Sequence, residues 1–163
     1  MKRLIAVSTI IAISACSNFQ SIESTSGQLT VAGQTHNQAS NSVQLEQLNA
    51  TFENYKGVPY RYGGMDRRGF DCSGFINVAY REAFNVALPR TTEELATAGI
   101  PVRRDQLKTG DIVFFKTSVK QLHAGIYTED GYFIHASTSK GVIRSSLKNQ
   151  YWLQNYIKAR RLL

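Results

Sequence analysis

The sequence predicts one α+β domain in which helices come first and an antiparallel β-sheet follows. Its 163 residues, of which 42% are hydrophobic, suit a single globular core. Apolar residues recur at helical spacing up to about Ala98, whereas from Gly110 onward they form short runs between turn residues. Helices and strands in separate blocks are typical of the α+β class.

Residues 1–15 are predicted to be a signal peptide. Two basic residues precede a largely apolar stretch from Leu4 to Ile13, which is too short to span a bilayer. The small residues before Cys16 resemble the lipobox of bacterial lipoproteins, in which this cysteine is lipidated and becomes the first mature residue. In this pattern, Ser17 after the cysteine implies that the protein is delivered to the periplasmic face of the outer membrane of a Gram-negative cell. An ordinary signal peptide with a chance cysteine is the alternative.

Residues 16–42 are predicted to be the lipidated cysteine and a flexible tether, and residues 43–163 the folded domain. The tether is rich in Ser, Thr, Gln, Asn and Gly and has few large apolar residues. Such a composition does not bury enough apolar surface to fold.

The chain is basic, with a formal net charge of +7. Without Lys2 and Arg3 the mature body carries +5, from 17 basic and 12 acidic residues. A basic surface suits nucleic acid, anionic lipid or the carboxylate-rich cell wall. The sequence has no nucleic-acid-binding motif, and the predicted location is outside the cytoplasm. The cell wall or anionic lipid is therefore preferred as the partner of the basic surface. Most of the scattered charges, a set that includes Arg90, are interpreted as solvated surface, and a monomer is expected.

Three helices are predicted before the strands. The first has an apolar face, formed by Leu45, Leu48, Phe52 and Tyr55. It ends before Pro59, and a glycine-rich loop leads to a second helix that starts at Cys72. Thr91 and Glu94 have capping-box spacing, which predicts a short third helix to about Ala98.

The chain after Gly110 is predicted to form five strands, at 111–115, 122–128, 132–137, 142–145 and 156–162. If the loop between the second and third strands has three residues, Gly125 lies opposite His135. Because His123 shares a face with Gly125, both imidazoles then emerge on one side. A two-residue turn would put them on opposite faces unless a bulge restored the register.

Cys72 is the candidate nucleophile. Asp71 is a good N-cap, so Cys72 falls at the first helical position, where free N–H groups and the helix dipole favour an anion. A lowered thiol pKa is therefore expected. With Cys16 assigned to lipid, Cys72 is the only thiol of the mature body, in a compartment where structural cysteines are normally paired. A buried structural cysteine is the alternative.

His123 and His135 complete the candidate site. A thiol nucleophile needs a histidine that takes and returns its proton, and that histidine needs a third polar group to fix its tautomer. His123 suits the first role, and His135 the second by hydrogen bonding to the far ring nitrogen of His123. Zinc on Cys72, His123 and His135 is conceivable in residue type, but the spacings match no short metal motif. Neither a metal nor a cofactor is expected.

Five short segments, spread over residues 49–163, carry a resemblance that covers nearly the whole predicted domain. They are Gly57–Gly64, Asp71–Phe75, Thr109–Phe115, His123–Tyr127 and Phe133–Ser137. In this order they resemble the NlpC-type papain-like cysteine peptidases of bacterial cell walls. Ser139–Val142 and the lipobox resemble the Gram-negative lipoprotein members in particular. Ala124 is a mild departure, since valine is often found there.

The resemblance implies a papain-like fold, with the nucleophile at a helix N-terminus packed on an antiparallel sheet. It implies a triad of Cys72, His123 and His135, and it suggests that the Tyr60 hydroxyl helps the Cys72 backbone N–H to bind the oxyanion. Asp71 and Ser73 flank the nucleophile and are expected to shape a substrate subsite, although an N-cap and a first-turn residue explain them equally well.

The activity that the resemblance implies is hydrolysis of peptidoglycan stem-peptide or cross-bridge amides through a thioester acyl-enzyme. The usual cut in the family is at γ-D-glutamyl–diaminopimelate, while some lipoprotein members open the diaminopimelate–D-alanine cross-bridge. Two alternatives stay open: a thiol acyl or amide transferase with the same triad, and a non-catalytic wall-binding lipoprotein.

Overall fold

The computed structural model describes residues 26–118 and 121–163; the predicted signal peptide, Cys16 and the first part of the predicted tether lie outside them. Short loops connect the helices and strands. In chain order they are α1 (Ser26–Tyr55), β1 (Met65–Asp66), β2 (Gly69–Phe70), α2 (Cys72–Phe84), α3 (Thr92–Leu95), β3 (Ile100–Val102), a 3-10 turn (Arg104–Gln106), β4 (Ile112–Ser118), β5 (Gln121–Tyr127), β6 (Tyr132–Ser137), β7 (Gly141–Ser146), α4 (Gln150–Asn155) and β8 (Tyr156–Arg161).

Helix α1 starts well before the predicted boundary. The flexible tether was expected to reach Ser42, but the chain is helical from Ser26, so this prediction is wrong for residues 26–42. The C-terminal part of α1 buries Leu48 and Phe52 in the core. No proline interrupts the helix, and a nucleated helix gains one hydrogen bond for each residue it adds. Among the described helices, none is long and apolar enough to cross a membrane.

The strands form a six-stranded antiparallel sheet in the order β3-β8-β4-β5-β6-β7. All five predicted strands are present in it, and the α+β class is confirmed. The main core lies between one sheet face and helices α1 and α2, where Phe114 and Ile126 pack against Phe75 and Ile76. The hairpin β1–β2, strand β3 and helix α4 were not predicted, because each is too short to carry a clear periodic pattern.

The opposite face of the sheet carries a second, smaller apolar cluster. Neighbouring residues along a strand point to opposite faces, so Phe115 lies on the other side from Phe114. It packs with Phe133 and Leu147 and is covered by Trp152 of α4. The two histidines of the candidate site lie on this second face.

The β5–β6 hairpin has the predicted three-residue loop. The Thr128 N–H donates to the Tyr132 carbonyl at 2.9 Å, and Ile126 pairs with Ile134. This register places Gly125 opposite His135, as the sequence predicted. The loop closes tightly because Gly131 has a φ of +83°, a conformation that glycine adopts without a steric penalty.

Strand β5 loses its pairing with β6 just where the site begins. Within the described residues, the β5–β6 ladder does not continue beyond the Ile126–Ile134 pair. Alternate N–H groups of an antiparallel strand face the same neighbour, so the Ala124 N–H points to the β6 side as the Thr128 N–H does. It is there that this N–H donates to the Cys72 sulfur at the start of α2.

Candidate active site

Helix α2 begins at Cys72, which confirms the predicted first helical position. Asp71 is the N-cap, and its Oδ1 accepts a hydrogen bond from the Gly74 N–H at 2.6 Å. A Cβ on Gly74 would lie 2.1 Å from the Gly64 carbonyl oxygen. Only glycine therefore lets the loop before the helix pack so closely against its first turn, and this contact fixes where the Cys72 side chain starts.

The Cys72 side chain is held from several sides. It is 7% exposed, and its Sγ lies 3.3 Å from Thr92 Oγ1. The sulfur also accepts hydrogen bonds from the backbone N–H groups of Ala124 and Ser73. It reaches solvent through a cleft of about 550 Å³, called here the thiol cleft, which Tyr60, Arg90 and Leu122 also line.

The expectation of a lowered thiol pKa is wrong. Burial raises the pKa of Cys72 above its ordinary value, and the nearby Asp71 carboxylate adds to this effect. The Thr92 hydroxyl and the N–H groups of Ala124 and Ser73 oppose it without reversing it. A thiolate loses more hydration in this packed site than these hydrogen bonds return. The resting sulfur is therefore a thiol, and a base has to remove its proton.

His123 and His135 form a hydrogen-bonded pair. His123 Nε2 lies 2.8 Å from His135 Nδ1, and the two rings are nearly perpendicular at 86°. This confirms that the two imidazoles emerge on one side of the hairpin. Beyond them, His135 Nε2 lies 3.0 Å from Ser145 Oγ, and Trp152 stacks on His123 with a centroid separation of 5.5 Å.

Both imidazoles are neutral in the folded protein at neutral pH. Burial lowers the pKa of His123 from 6.5 to about 4. Burial is the main cause that lowers the pKa of His135 to about 3, and a positive charge on the neighbouring His123 lowers it further. A neutral His123 has one ring nitrogen free of a proton and is therefore ready to accept one.

The buried pair predicts that stability falls in mild acid. Unfolded imidazoles take up protons near pH 6.5, whereas the folded His123 does so only at about pH 4. Between these values the unfolded state binds more protons, so the free energy of unfolding falls as the pH falls. We expect a loss of ~2 kcal/mol for each imidazole by about pH 5, measured from urea midpoints. His135→Gln should remove about half of this dependence; a midpoint that is constant from about pH 7.5 to about pH 5 would contradict it.

Asp71, Ser73 and Arg90 form one network in the wall of the thiol cleft. The two terminal nitrogens of Arg90 donate to Asp71 Oδ1 and Oδ2 at 3.1 and 2.7 Å. Arg90 also donates to Ser73 Oγ at 2.8 Å, and the Gly63 N–H donates to Asp71 Oδ2 at 2.9 Å. Arg90 thus has a structural role that solvated surface, the interpretation of most of the scattered charges, does not describe. No local pattern could have revealed it, since its partners lie 17 and 19 residues away along the chain.

Tyr60 lies half-buried in the same cleft. Burial, followed by the nearby charges of Cys72 and Asp71, raises the pKa of its phenol. The hydroxyl therefore keeps its proton at neutral pH and is a hydrogen-bond donor. Thr92 and Trp152 also contact the candidate site, although neither belongs to a sequence motif that predicted it. One feature of the sequence could have drawn attention to Trp152, since it is the only tryptophan of the chain.

The zinc alternative has no support from the geometry. Over residues 26–118 and 121–163, no three His, Cys, Asp or Glu side chains are grouped as metal ligands. The arrangement instead offers a thiol, a neutral imidazole with a hydrogen-bonded neighbour, and a phenol donor. These groups are suited to nucleophilic attack by sulfur on a carbonyl carbon.

Two proteins of Escherichia coli K12 are similar to this chain. One, named "Probable endopeptidase NlpC", is 49% identical over 82% of this chain and 94% of its own length. The other, named "Murein DD-endopeptidase MepS/Murein LD-carboxypeptidase", is 46% identical over 69% of this chain, which spans only 60% of that protein.

The solved structures agree with the sequences. The crystal structure of the NlpC/p60 domain of peptidoglycan hydrolase SagA superposes with a TM-score of 0.61 at 28% identity, covering 72% of this chain and 98% of that domain. The predicted papain-like arrangement of helices on an antiparallel sheet is thus confirmed. Residues 57–161, which contain all of the candidate site, match the sequence model of the NlpC/P60 family. The chain belongs to the NlpC/P60 family.

Proposed function

We propose that this chain is a cysteine peptidase that hydrolyses amide bonds in peptidoglycan stem peptides or cross-bridges. The carrying observation is the hydrogen-bonded pair of His123 and His135 beside the point where α2 sets Cys72 against β5. The names of the relatives, an endopeptidase, a murein DD-endopeptidase and a peptidoglycan hydrolase, support the substrate class. Both the D,L bond at γ-D-glutamyl–diaminopimelate and the D,D cross-bridge bond are candidates.

In the first step Cys72 attacks the carbonyl carbon of the substrate amide. His123 Nδ1 takes the thiol proton as the sulfur–carbon bond forms, because the neutral imidazole is the available base. The carbonyl oxygen becomes an oxyanion, which the Cys72 backbone N–H and the Tyr60 hydroxyl stabilise. When the carbon–nitrogen bond breaks, the proton on His123 moves to the leaving amine, and a thioester remains on Cys72.

In the second step water replaces the amine. His123, neutral again, takes a proton from the water as its oxygen attacks the thioester carbon. The oxyanion forms in the same place and collapses, which breaks the carbon–sulfur bond. The proton returns to the sulfur, so Cys72 ends as the thiol with which it began.

The tautomers of the two imidazoles follow from this chemistry. His123 Nδ1 has to be unprotonated to accept the thiol proton, so its Nε2–H donates to His135 Nδ1 across 2.8 Å. His135 then carries its proton on Nε2 and donates it to Ser145 Oγ at 3.0 Å. His135 and Ser145 together orient His123. Their aligned dipoles also stabilise the positive charge that forms on His123 during attack.

Tyr60→Phe tests the oxyanion role. The phenyl ring keeps the packing and removes only the hydroxyl donor. We expect kcat to fall about 10²-fold with little change in KM, because a donor aimed at the oxyanion acts mainly in the transition state. Tyr62→Phe, which alters an exposed phenol at the mouth of the same cleft, is the matched control. Equal small effects of the two variants would remove Tyr60 from the mechanism.

Digestion of defined muropeptides, with mass assignment of the fragments, tests the function itself. New carboxyl and amine ends at one of the two candidate bonds are the expected result. The same digestion with an added amine separates a hydrolase from an acyltransferase, since a transferase would give a new amide of the added amine. Binding to sacculi without any new ends would instead favour the non-catalytic alternative.

We also propose that the chain is a lipoprotein anchored through Cys16 at the periplasmic face of the outer membrane. The support is the pattern of a basic start, an apolar run and small residues before Cys16, with Ser17 after it. Cys16→Ala is expected to abolish incorporation of labelled palmitate and to shift the protein from the membrane fraction to the soluble fraction. Unchanged palmitate labelling of the variant would exclude this anchor.

A further inference from the structure

A second cleft, of about 410 Å³, borders the imidazole pair. It is called here the imidazole cleft. His123 and His135 line it, together with Ser137 and Ser139 near the β6–β7 turn and Tyr151 and Trp152 of α4. Cys72 and Tyr60 line the thiol cleft instead. The two clefts thus divide the groups of the proposed reaction between them.

Proton transfer assigns each cleft to one half of the substrate. The acyl carbon bonds to sulfur and its oxygen meets Tyr60, so the acyl half occupies the thiol cleft. The leaving nitrogen has to receive the proton that His123 carries, which requires hydrogen-bond distance from that ring. Because His123 also lines the imidazole cleft, this cleft is available to the chain attached to that nitrogen.

The linings of the two clefts differ in charge. Asp71, Arg90 and Glu93 line the thiol cleft. Among the described residues the imidazole cleft has no carboxylate, ammonium or guanidinium group in its lining, and its two imidazoles are neutral. Its polar groups are hydroxyls, which both donate and accept hydrogen bonds. Such a lining suits a group with both amine and carboxylate or amide functions, as an amino acid has.

The aromatic residues of the imidazole cleft, Tyr151 and Trp152, connect it to the catalytic base His123. Trp152 stacks on His123 with its plane 25° from the imidazole plane, and the Tyr151 ring meets Trp152 edge-on at 4.9 Å. Tyr151 is 49% exposed, so part of its ring is accessible to a ligand. A group that packs on Tyr151 would lie in the cleft that His123 also lines.

We propose that the imidazole cleft is the subsite for the leaving amine, and that it takes an amino-acid unit through hydroxyl hydrogen bonds and packing on Tyr151. This assignment rests on the proposed function. In both candidate bonds the amine belongs to diaminopimelate, so free meso-diaminopimelate is the probe for this cleft. The dipeptide L-alanyl-D-glutamate represents the acyl half of the D,L bond and is the probe for the thiol cleft.

Trp152 fluorescence provides a test that needs no turnover, because Trp152 is the only tryptophan of the chain. Titration of the Cys72→Ala protein with meso-diaminopimelate should change the fluorescence in a saturable way, and L-alanyl-D-glutamate should not. Tyr151→Ala should weaken diaminopimelate binding about 5- to 10-fold, the usual loss for a truncated contact aromatic. Tyr132→Ala, which removes a tyrosine of similar exposure, 45%, on β6, should bind as the parent does.

Three outcomes would overturn the assignment: no saturable response to diaminopimelate, the same response to the dipeptide, or equal affinities in the two tyrosine variants. If Tyr151→Ala unfolds at a lower temperature than the parent, Ser137→Ala replaces it as the test variant. Loss of the proposed function is a separate result. A wild-type protein that binds diaminopimelate at Trp152 but cuts no muropeptide would keep the amino-acid-binding cleft and would remove the peptidase, and with it the leaving amine.

Discussion

Replacing Cys72 with alanine is expected to abolish hydrolysis of muropeptides, with a fall in kcat of about 10⁴-fold or more. Without the sulfur no thioester forms, and the remaining groups offer only oriented water and an oxyanion site. The measurement is the appearance of new peptide ends by mass spectrometry at enzyme concentrations that give complete digestion by the wild type. The fold should persist, because the change removes one sulfur atom from the start of α2.

The controls for Cys72→Ala separate chemistry from folding. The far-ultraviolet circular dichroism and the thermal midpoint of the variant should stay close to those of the wild type. Iodoacetamide should alkylate the wild type slowly near neutral pH and faster as the pH rises, because burial raises the pKa of the Cys72 thiol. Muropeptide cleavage by the alanine variant at even a tenth of the wild-type rate would eliminate the proposed nucleophile.

Replacing His123 with alanine is expected to lower kcat about 10²- to 10⁴-fold, the range for loss of a general base. The thiol has a raised pKa, so at neutral pH little thiolate is present to compensate for the missing base. The rate left in His123→Ala should therefore rise with pH, as the thiol ionises without help. The wild type, by contrast, should keep its kcat/KM in mild acid and lose it near pH 4, where the buried imidazole takes a proton.

Chemical rescue distinguishes a missing base from a damaged fold. His123 borders the imidazole cleft, so truncation to alanine opens a space that free imidazole can enter. Added imidazole should restore part of the activity of His123→Ala and should have no effect on Cys72→Ala. If imidazole fails to restore activity and the thermal midpoint of His123→Ala is unchanged, His123 is not the base.

Short-range sequence patterns, such as a helix N-cap and the length of a hairpin loop, allowed much of the site to be predicted from the sequence. Asp71 before an apolar helical run fixed Cys72 at the first helical position, because an N-cap acts within one turn. A three-residue loop set the register of the hairpin, and register decides which side chains share a face. Both are short-range effects, and the positions of Cys72 and of the histidine pair were predicted correctly for that reason.

Other predictions failed where distant residues decide the outcome. The composition of residues 26–42 suggested a tether, but these residues continue a helix that Leu48 and Phe52 anchor in the core. The sequence did not set Arg90 apart from the other scattered charges, although folding brings it to Asp71, 19 residues away along the chain. Helix propensity and charge are local properties of a residue, and tertiary contacts override both.

The sequence by itself determined the order of three helices and five strands, the helix start at Cys72 and the face shared by His123 and His135. Only the tertiary structure decided the ionisation of these groups. Packing removes water from the sulfur and from both rings, which raises the pKa of the thiol and lowers those of the imidazoles. The hydration of an ionisable group depends on every element that covers it, and no stretch of sequence contains that information.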